Sequence, residues 1–314
     1  MATSGSVDFS VNRDEICTAA MRVARVIGID QTPTSGEITT CAQALNMIVK
    51  QWQGIADFAP GLKSWSRKRA YLFLNTGTNQ YSLGPTGDHW TTAKNQTTIS
   101  AAEAAGQTVL SVTSTTGMTA ADNIGIVLDD GSIQWTTIVS TGAGPVVTIT
   151  VALTGAAASG NDVYWYTTKA RRPETILTAV LRDSDNTVVP LSFMTLQQYQ
   201  AIPDKTADSD PTAIFYEEQL VNGVLYTDIE PDDVTKQIYC VFLSAIEDFD
   251  VLTDTPDYPQ AWFRPLKYQL GIDIAPEFGR PIAPDLKLLR DESLVMARQL
   301  YAEKNRMHFE PGRD

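Results

Sequence analysis

The sequence predicts an α+β protein: a helical bundle formed by N- and C-terminal helices, a β layer, and an inserted small all-β domain, sandwich- or barrel-like. Three observations carry this. Apolar residues recur at helical spacing near both ends of the chain, over residues 13–52 and 262–300. Residues 95–168 contain no Lys or Arg and are rich in Thr, Val, Ile, Ala and Gly, broken into strand-length runs. Strand-like runs bounded by turn residues return after Ala170. The division that follows is a body of residues 1–94 and 169–314 and an all-β insert of residues 95–168.

Taken in order, residues 1–11 read as a leader or arm. Asn12 with Glu15 makes a box-like helix start, and Ile16, Ala19, Ala20, Val23 and Ile27 predict a helix from about Arg13 to Ile29. Thr34 with Glu37 fits the S/T-x-x-E capping box, and Ile38, Cys41, Leu45, Ile48, Val49 and Trp52 form one stripe at a period of 3.6. Such a stripe is core far more often than a cofactor site. After a loop, RAYLFLN, the turn TGTN and QYSLG predict a two-stranded ribbon. In the insert, TVLSVT, NIGIVLD, SIQWTTIV, PVVTITVAL and DVYWYT read as strands, with LDDGS as a hairpin turn of the Asp-Gly kind. Further on, two strands flank DSDN, MTLQQYQAI is a short helix, a hairpin turns at Val221-Asn222-Gly223, and KQIYCVFLSAI is a strand. Trp262, Leu266, Leu270 and Ile274 mark a helix started by Pro259, with Pro265 in its first turns; a last helix follows Pro284.

The 314 residues are 43% hydrophobic and 19% charged, a globular composition. No apolar run reaches the length of a membrane span, and the first residues lack the pattern of a signal peptide. Cys17, Cys41 and Cys240 lie in apolar contexts without CxxC spacing, which suits small buried hydrophobes. The 37 acidic against 24 basic residues give a formal charge of −13, the opposite of what a sequence-tolerant nucleic-acid binder needs.

Catalytic chemistry is sparse. The two histidines, His89 and His308, have no HExxH partner, and no GxSxG elbow or phosphate-binding loop occurs. Adjacent Glu217 and Glu218 on a strand point to opposite faces, unlike a glycosidase pair. Asp129 and Asp130 suit a turn better than a metal pair. Asp228, Glu230, Asp232 and Asp233 resemble a calcium loop that Pro231 interrupts. No enzyme activity, cofactor or metal is expected. The densest basic cluster is Lys63, Arg67, Lys68 and Arg69, read as a solvated edge or an intersubunit ion-pair site before a phosphate site.

The order ICTAAMRVARVIGI, EITTCAQALNMIVKQWQ, LFLNTGTNQYSLG, RRPETI, LSFMTLQQYQAIP, DPTAIFYEE, NGVLYTDIEP and PLKYQLGIDIAPEFG resembles the head-to-tail adaptor of short-tailed bacteriophages, the tail tubular protein A type. The resemblance spans nearly the whole chain outside residues 95–168, and the order of degenerate motifs carries it. It implies a structural virion protein. Members form a ring, usually twelve-fold, beneath the portal protein. The ring continues the DNA channel, offers a platform to the tail nozzle (tail tubular protein B type), and in several relatives carries fibres. They tend to stay monomeric until the portal templates the ring. Their C-terminal segment reaches toward the portal, and the matching stretch here is Tyr301–Asp314, with Tyr301, Lys304, Arg306, His308, Phe309 and Arg313 as candidate portal contacts. The implied location is the virion neck, with assembly in the host cytoplasm and no membrane. DNA passes through the lumen without specific binding. The insert is expected on the outside of the ring, and the basic cluster becomes a candidate intersubunit contact.

Three other readings compete. The insert could be a glycan- or host-surface-binding module, with Trp135, Tyr164 and Trp165 stacking on sugars, although aromatics in strands are more often core. A cell-wall hydrolase would depend on Glu217 or Asp88. DNA binding through Lys63–Arg69 would be steeply salt-dependent.

Overall fold

The computed structural model describes residues 5, 9–54, 62–183 and 185–301, and they form an α+β fold. The helices are α1 (Arg13–Val23), α2 (Ser35–Gln53), α3 (Leu196–Gln200), α4 (Phe263–Glu277) and α5 (Pro284–Tyr301). The strands are β1 (Arg67–Phe73), β2 (Gln80–Leu83), β3 (Trp90–Thr91), β4 (Asn95–Thr98), β5 (Val109–Ser111), β6 (Asn123–Val127), β7 (Ile133–Thr141) and β8 (Val146–Ile149). They continue with β9 (Asp162–Tyr166), β10 (Pro173–Arg182), β11 (Val188–Pro190), β12 (Ser192–Phe193), β13 (Ala213–Glu217), β14 (Gly223–Thr227) and β15 (Gln237–Ser244). The chain forms two compact units, Met1–Ser66 with Ile246–Asp314, and Arg67–Ala245.

In the first unit, local sequence sets the helix starts. The Asn12 side chain accepts the Glu15 N–H at 2.9 Å while Glu15 accepts the Asn12 N–H at 2.9 Å. Thr34 and Glu37 repeat the arrangement on α2, at 3.3 and 2.7 Å. The predicted stripe is buried: Cys41, Leu45, Ile48, Val49 and Trp52 pack with Ile16, Ala20 and Met21 of α1 and with Leu266, Leu270 and Ile274 of α4. The Trp52 and Trp262 rings meet at 5.7 Å. Helix α1 stops at Val23, six residues earlier than its spacing predicts. Arg25 turns left-handed (φ 59°), its N–H bonds the Arg22 carbonyl, and the Val26 N–H reaches back to Met21, a Schellman closure without glycine. Ile27 stays in the core, which is why its spacing reads as helical. Pro265 sits in the first turn of α4, where an N–H has no intrahelical acceptor to lose.

A strap following β15 lies along α2. Asn46 accepts the Phe249 N–H at 2.9 Å, Gln53 accepts the Ile246 N–H at 2.9 Å, Lys50 donates to the Ile246 carbonyl, and Lys50 pairs with Asp248 at 2.7 Å. Residues 46, 50 and 53 share one helix face, so one polar stripe satisfies the backbone of the strap.

The second unit contains three sheets, ordered β11-β10-β15-β1-β3, β12-β13-β14-β2 and β4-β9-β6-β7-β8-β5. The first two face each other: Leu72, Leu181, Ile238, Cys240 and Phe242 pack against Tyr81, Leu83, Ile214 and Leu225. The ribbon predicted over RAYLFLN–QYSLG is therefore a correction. β1 pairs with β15 and β2 with β14, in different sheets. The Tyr81 hydroxyl, with one proton to donate, lies 3.1 and 3.0 Å from the carbonyls of Asn75 and Thr78 and accepts the Asn75 N–H at 3.2 Å, bracing the crossing between the two layers. The third sheet closes on itself, because Ser100 N–H bonds Ser111 and Thr113 N–H bonds Thr98, joining its two outer strands. Ile99, Leu110, Ile124, Ile138, Ile149, Val163 and Trp165 fill its interior. The hairpin turn predicted at LDDGS joins β6 to β7 and spans three residues, with Gly131 at φ 81° and its N–H on the Leu128 carbonyl.

Candidate functional site

The basic cluster divides at the boundary between the units. Lys63 belongs to the short 3₁₀ turn Leu62–Ser66 of the first unit, and its side chain lies outside the described residues. Arg67, Lys68 and Arg69 open β1 in the second unit, all exposed. Strand alternation turns Arg67 and Arg69 to one side and Lys68 to the other. β3 pairs only with Tyr71 and Leu72, so among the described residues no strand covers the outer edge of residues 67–70. Charged residues on an open edge oppose indiscriminate strand pairing. Of the candidate portal contacts, Tyr301 closes α5 through its backbone. The Tyr301 side chain and Lys304, Arg306, His308, Phe309 and Arg313 lie outside the described residues.

The acidic residues weighed for catalysis are tied to local backbone or neighbours. Asp88 accepts the Ser82 N–H at 2.7 Å. Glu217 accepts the Tyr226 hydroxyl at 3.3 Å. Asp129 accepts from Ala158 N–H at 2.8 Å and from the Asn161 amide at 2.9 Å, and Asp130 accepts from Ser132 N–H at 2.9 Å. Asp228 accepts the Thr212 hydroxyl, and Asp233 the Thr235 N–H at 2.8 Å. The Glu217–Tyr226 bond crosses between β13 and β14; the others are turn and loop bonds, the ordinary use of short acidic side chains. Among the described residues no three His, Cys, Asp or Glu side chains group as a metal site, and no helix is long and apolar enough to cross a membrane. An open depression beside α1 is lined by Asn12, Asp14, Glu15, Thr18, Arg22 and Leu252, without a nucleophile and base in contact.

His89 is the most perturbed titratable group weighed for catalysis, and it serves packing. Its ring stacks on Trp135 with centroids 3.8 Å apart and planes 9° apart, and Nδ1 lies 2.7 Å from the Tyr166 hydroxyl. Burial, and secondarily the Lys169 charge, push its pKa down to about 3, so the ring is neutral at physiological pH. A neutral ring held on both sides is poorly placed to shuttle protons. The same seam takes Phe73, Val127, Tyr164 and Val234. In β9, Val163 and Trp165 face the closed sheet's interior while Tyr164 and Tyr166 face Phe73 of β1, so its aromatics are divided between two cores. Of the three aromatics considered for sugar stacking, Tyr164 and Trp165 are buried and Trp135 is covered by His89. The unbroken apolar run Val163–Tyr166 in DVYWYT was the available sign of this two-sided burial.

One aromatic cluster that the sequence reading did not single out lies at the surface. Tyr199 of α3 packs on Tyr226 at 4.9 Å and Phe215 at 6.0 Å, beside the half-exposed Phe193 and Leu196. No protein-family model matches this chain, and no curated protein matches it in sequence.

Proposed function

We propose that this chain is a structural virion subunit of the head-to-tail adaptor kind. In this reading it assembles into a ring that joins the portal to the tail nozzle and continues the DNA channel. The observation that carries the reading is the convergence of the two chain ends on one core. Ile16 and Leu45, from the start of the chain, pack with Leu270 and Ala297 from its end. That matches the helical body implied by the ordered segments from ICTAAMRVARVIGI to PLKYQLGIDIAPEFG. The reading treats these helices as the terminal bundle and residues 95–168 as the inserted all-β domain.

Two further features support it. The titratable groups weighed for catalysis are engaged in turns and packing, which suits a part whose chemistry is assembly. The charge of −13 suits a lumen that lets DNA slide without sticking. The segment Tyr301–Asp314 is assigned to the portal and the cluster Lys63, Arg67, Lys68 and Arg69 to the neighbouring subunit. The test is to mix the purified protein with its portal and image the product by electron microscopy. A ring stacked on the portal is expected; a persistent monomer that ignores the portal overturns the proposal.

A further inference from the structure

Two of the three cysteines meet across the first two helices. Cys17 lies in α1 and Cys41 in α2, and both are completely buried in the core of the first unit. Cys41 Sγ approaches the Cys17 carbonyl oxygen to 3.9 Å, although 24 positions separate the two residues in the chain. The Cys17 side chain is also the hydrogen-bond neighbour that does most to raise the Cys41 pKa, ahead of burial itself. The two thiols therefore face each other. Cys240 is the contrast: it lies in the core of the second unit, where burial alone raises its pKa.

A facing pair has a chemistry that a single buried thiol lacks. A disulfide needs a sulfur–sulfur distance of about 2.05 Å, so two thiols at hydrogen-bond distance have to close by about 1.5–2 Å. Side-chain rotation and a small shift between the helices supply a movement of that size. Burial and the neighbouring thiol withhold the thiolate, which is the form that attacks a disulfide. Reaction is therefore gated by opening of α1 against α2, and the same shielding protects the bond once it has formed.

We propose that Cys17 and Cys41 are a latent disulfide, a thiol–disulfide exchange site that takes a small-molecule disulfide as its oxidant and staples α1 to α2. One cysteine gives up its proton to solvent, and its thiolate attacks a sulfur of the oxidant, releasing one small thiol. The second cysteine then attacks the protein sulfur of that mixed disulfide and releases the other small thiol. The protein loses two protons and two electrons, and the oxidant is reduced to two thiols. A reducing compartment keeps the pair open and an oxidising one closes it. The bond restricts the unfolded chain between residues 17 and 41, which stabilises the first unit. The proposal goes beyond the ring-forming reading and stands without it.

The test uses the folded full-length chain, incubated with oxidised glutathione or with dithiothreitol, then denatured and alkylated with N-ethylmaleimide. Mass spectrometry of the digest counts and places the labels. The reduced protein is expected to take a label on each of its three cysteines. The oxidised protein is expected to take a label on Cys240 only, with the peptides of Cys17 and Cys41 joined. Its thermal unfolding midpoint should rise by about 5–10 °C, and dithiothreitol should abolish the rise. Cys17→Ala should keep Cys41 and Cys240 labelled in both conditions and show no rise. The wild-type readouts are decisive, so they hold whether or not that variant is stable. The proposal is overturned by three labels after oxidation, by a bond that uses Cys240 or a second chain, or by glutathione adducts that never resolve. A Cys17–Cys41 bond that leaves the midpoint unchanged or lowers it overturns the staple as well.

Discussion

At the residue scale, the informative side chains are those caught between layers. His89 is held neutral, so the unfolded chain takes up a proton before the folded one does. Between the ordinary pKa of 6.5 and the folded value of about 3, the unfolded state binds more protons, and stability must fall as pH falls through that window. The slope from this one group is at most about 1.4 kcal/mol per pH unit. Urea unfolding of wild type and His89→Asn between pH 7 and 4 checks this. The variant is less stable at pH 7 and has the shallower decline; equal slopes would rule out His89 as the source. Gly125 is the second case. It lies directly opposite Trp135 in the β6–β7 register, and a Cβ there would sit 2.8 Å from the indole. Gly125→Val is expected to lower stability by about 1–3 kcal/mol through overpacking, read from the urea midpoint. An unchanged midpoint would show that the indole can move aside at little cost.

At the element scale, helix starts are local and strand partners are not. The capping residues Asn12, Thr34 and Thr195 each act within three residues of the helix they start. Removing the Thr34 hydroxyl (Thr34→Ala) should cost about 1 kcal/mol, with the loss in hydrogen-exchange protection concentrated in the first turn of α2. The α1–α4 crossing depends on Gly271, where a Cβ would lie 2.9 Å from Val23 Cγ2 and 3.2 Å from the Ala20 carbonyl. Backbone cannot yield as a flexible side chain does, so Gly271→Ala should destabilise the first unit by about 1–3 kcal/mol in the same urea assay. By contrast, nothing within a few residues of TGTN shows that β1 and β2 join different sheets. Both strands are apolar enough to pair, and the choice is made by β15 and β14, each more than a hundred residues away in sequence.

At the scale of the whole molecule, the first unit is completed only when the chain returns after Ala245. A chain ending there lacks Trp262, Leu266, Leu270 and Ile274, the residues that bury the stripes of α1 and α2. Amide exchange in such a truncation is expected to show loss of protection across residues 13–53, while β10 and β15 stay protected. Retained protection in α1 and α2 would mean that they form a stable pair without the C-terminal helices.

The chain's own sequence determined its α+β character, helix starts, strand runs and the apolar stripe of α2, because these follow from periodicity, capping and turn chemistry acting over a few residues. It also marked Arg67–Arg69 as an unusual concentration of positive charge. Tertiary structure alone decided which sheet each strand joins and how the strand aromatics of residues 135–166 divide between two cores. Those outcomes depend on contacts between residues far apart in the chain, where register and burial are settled jointly by both partners and neither one's sequence states the result.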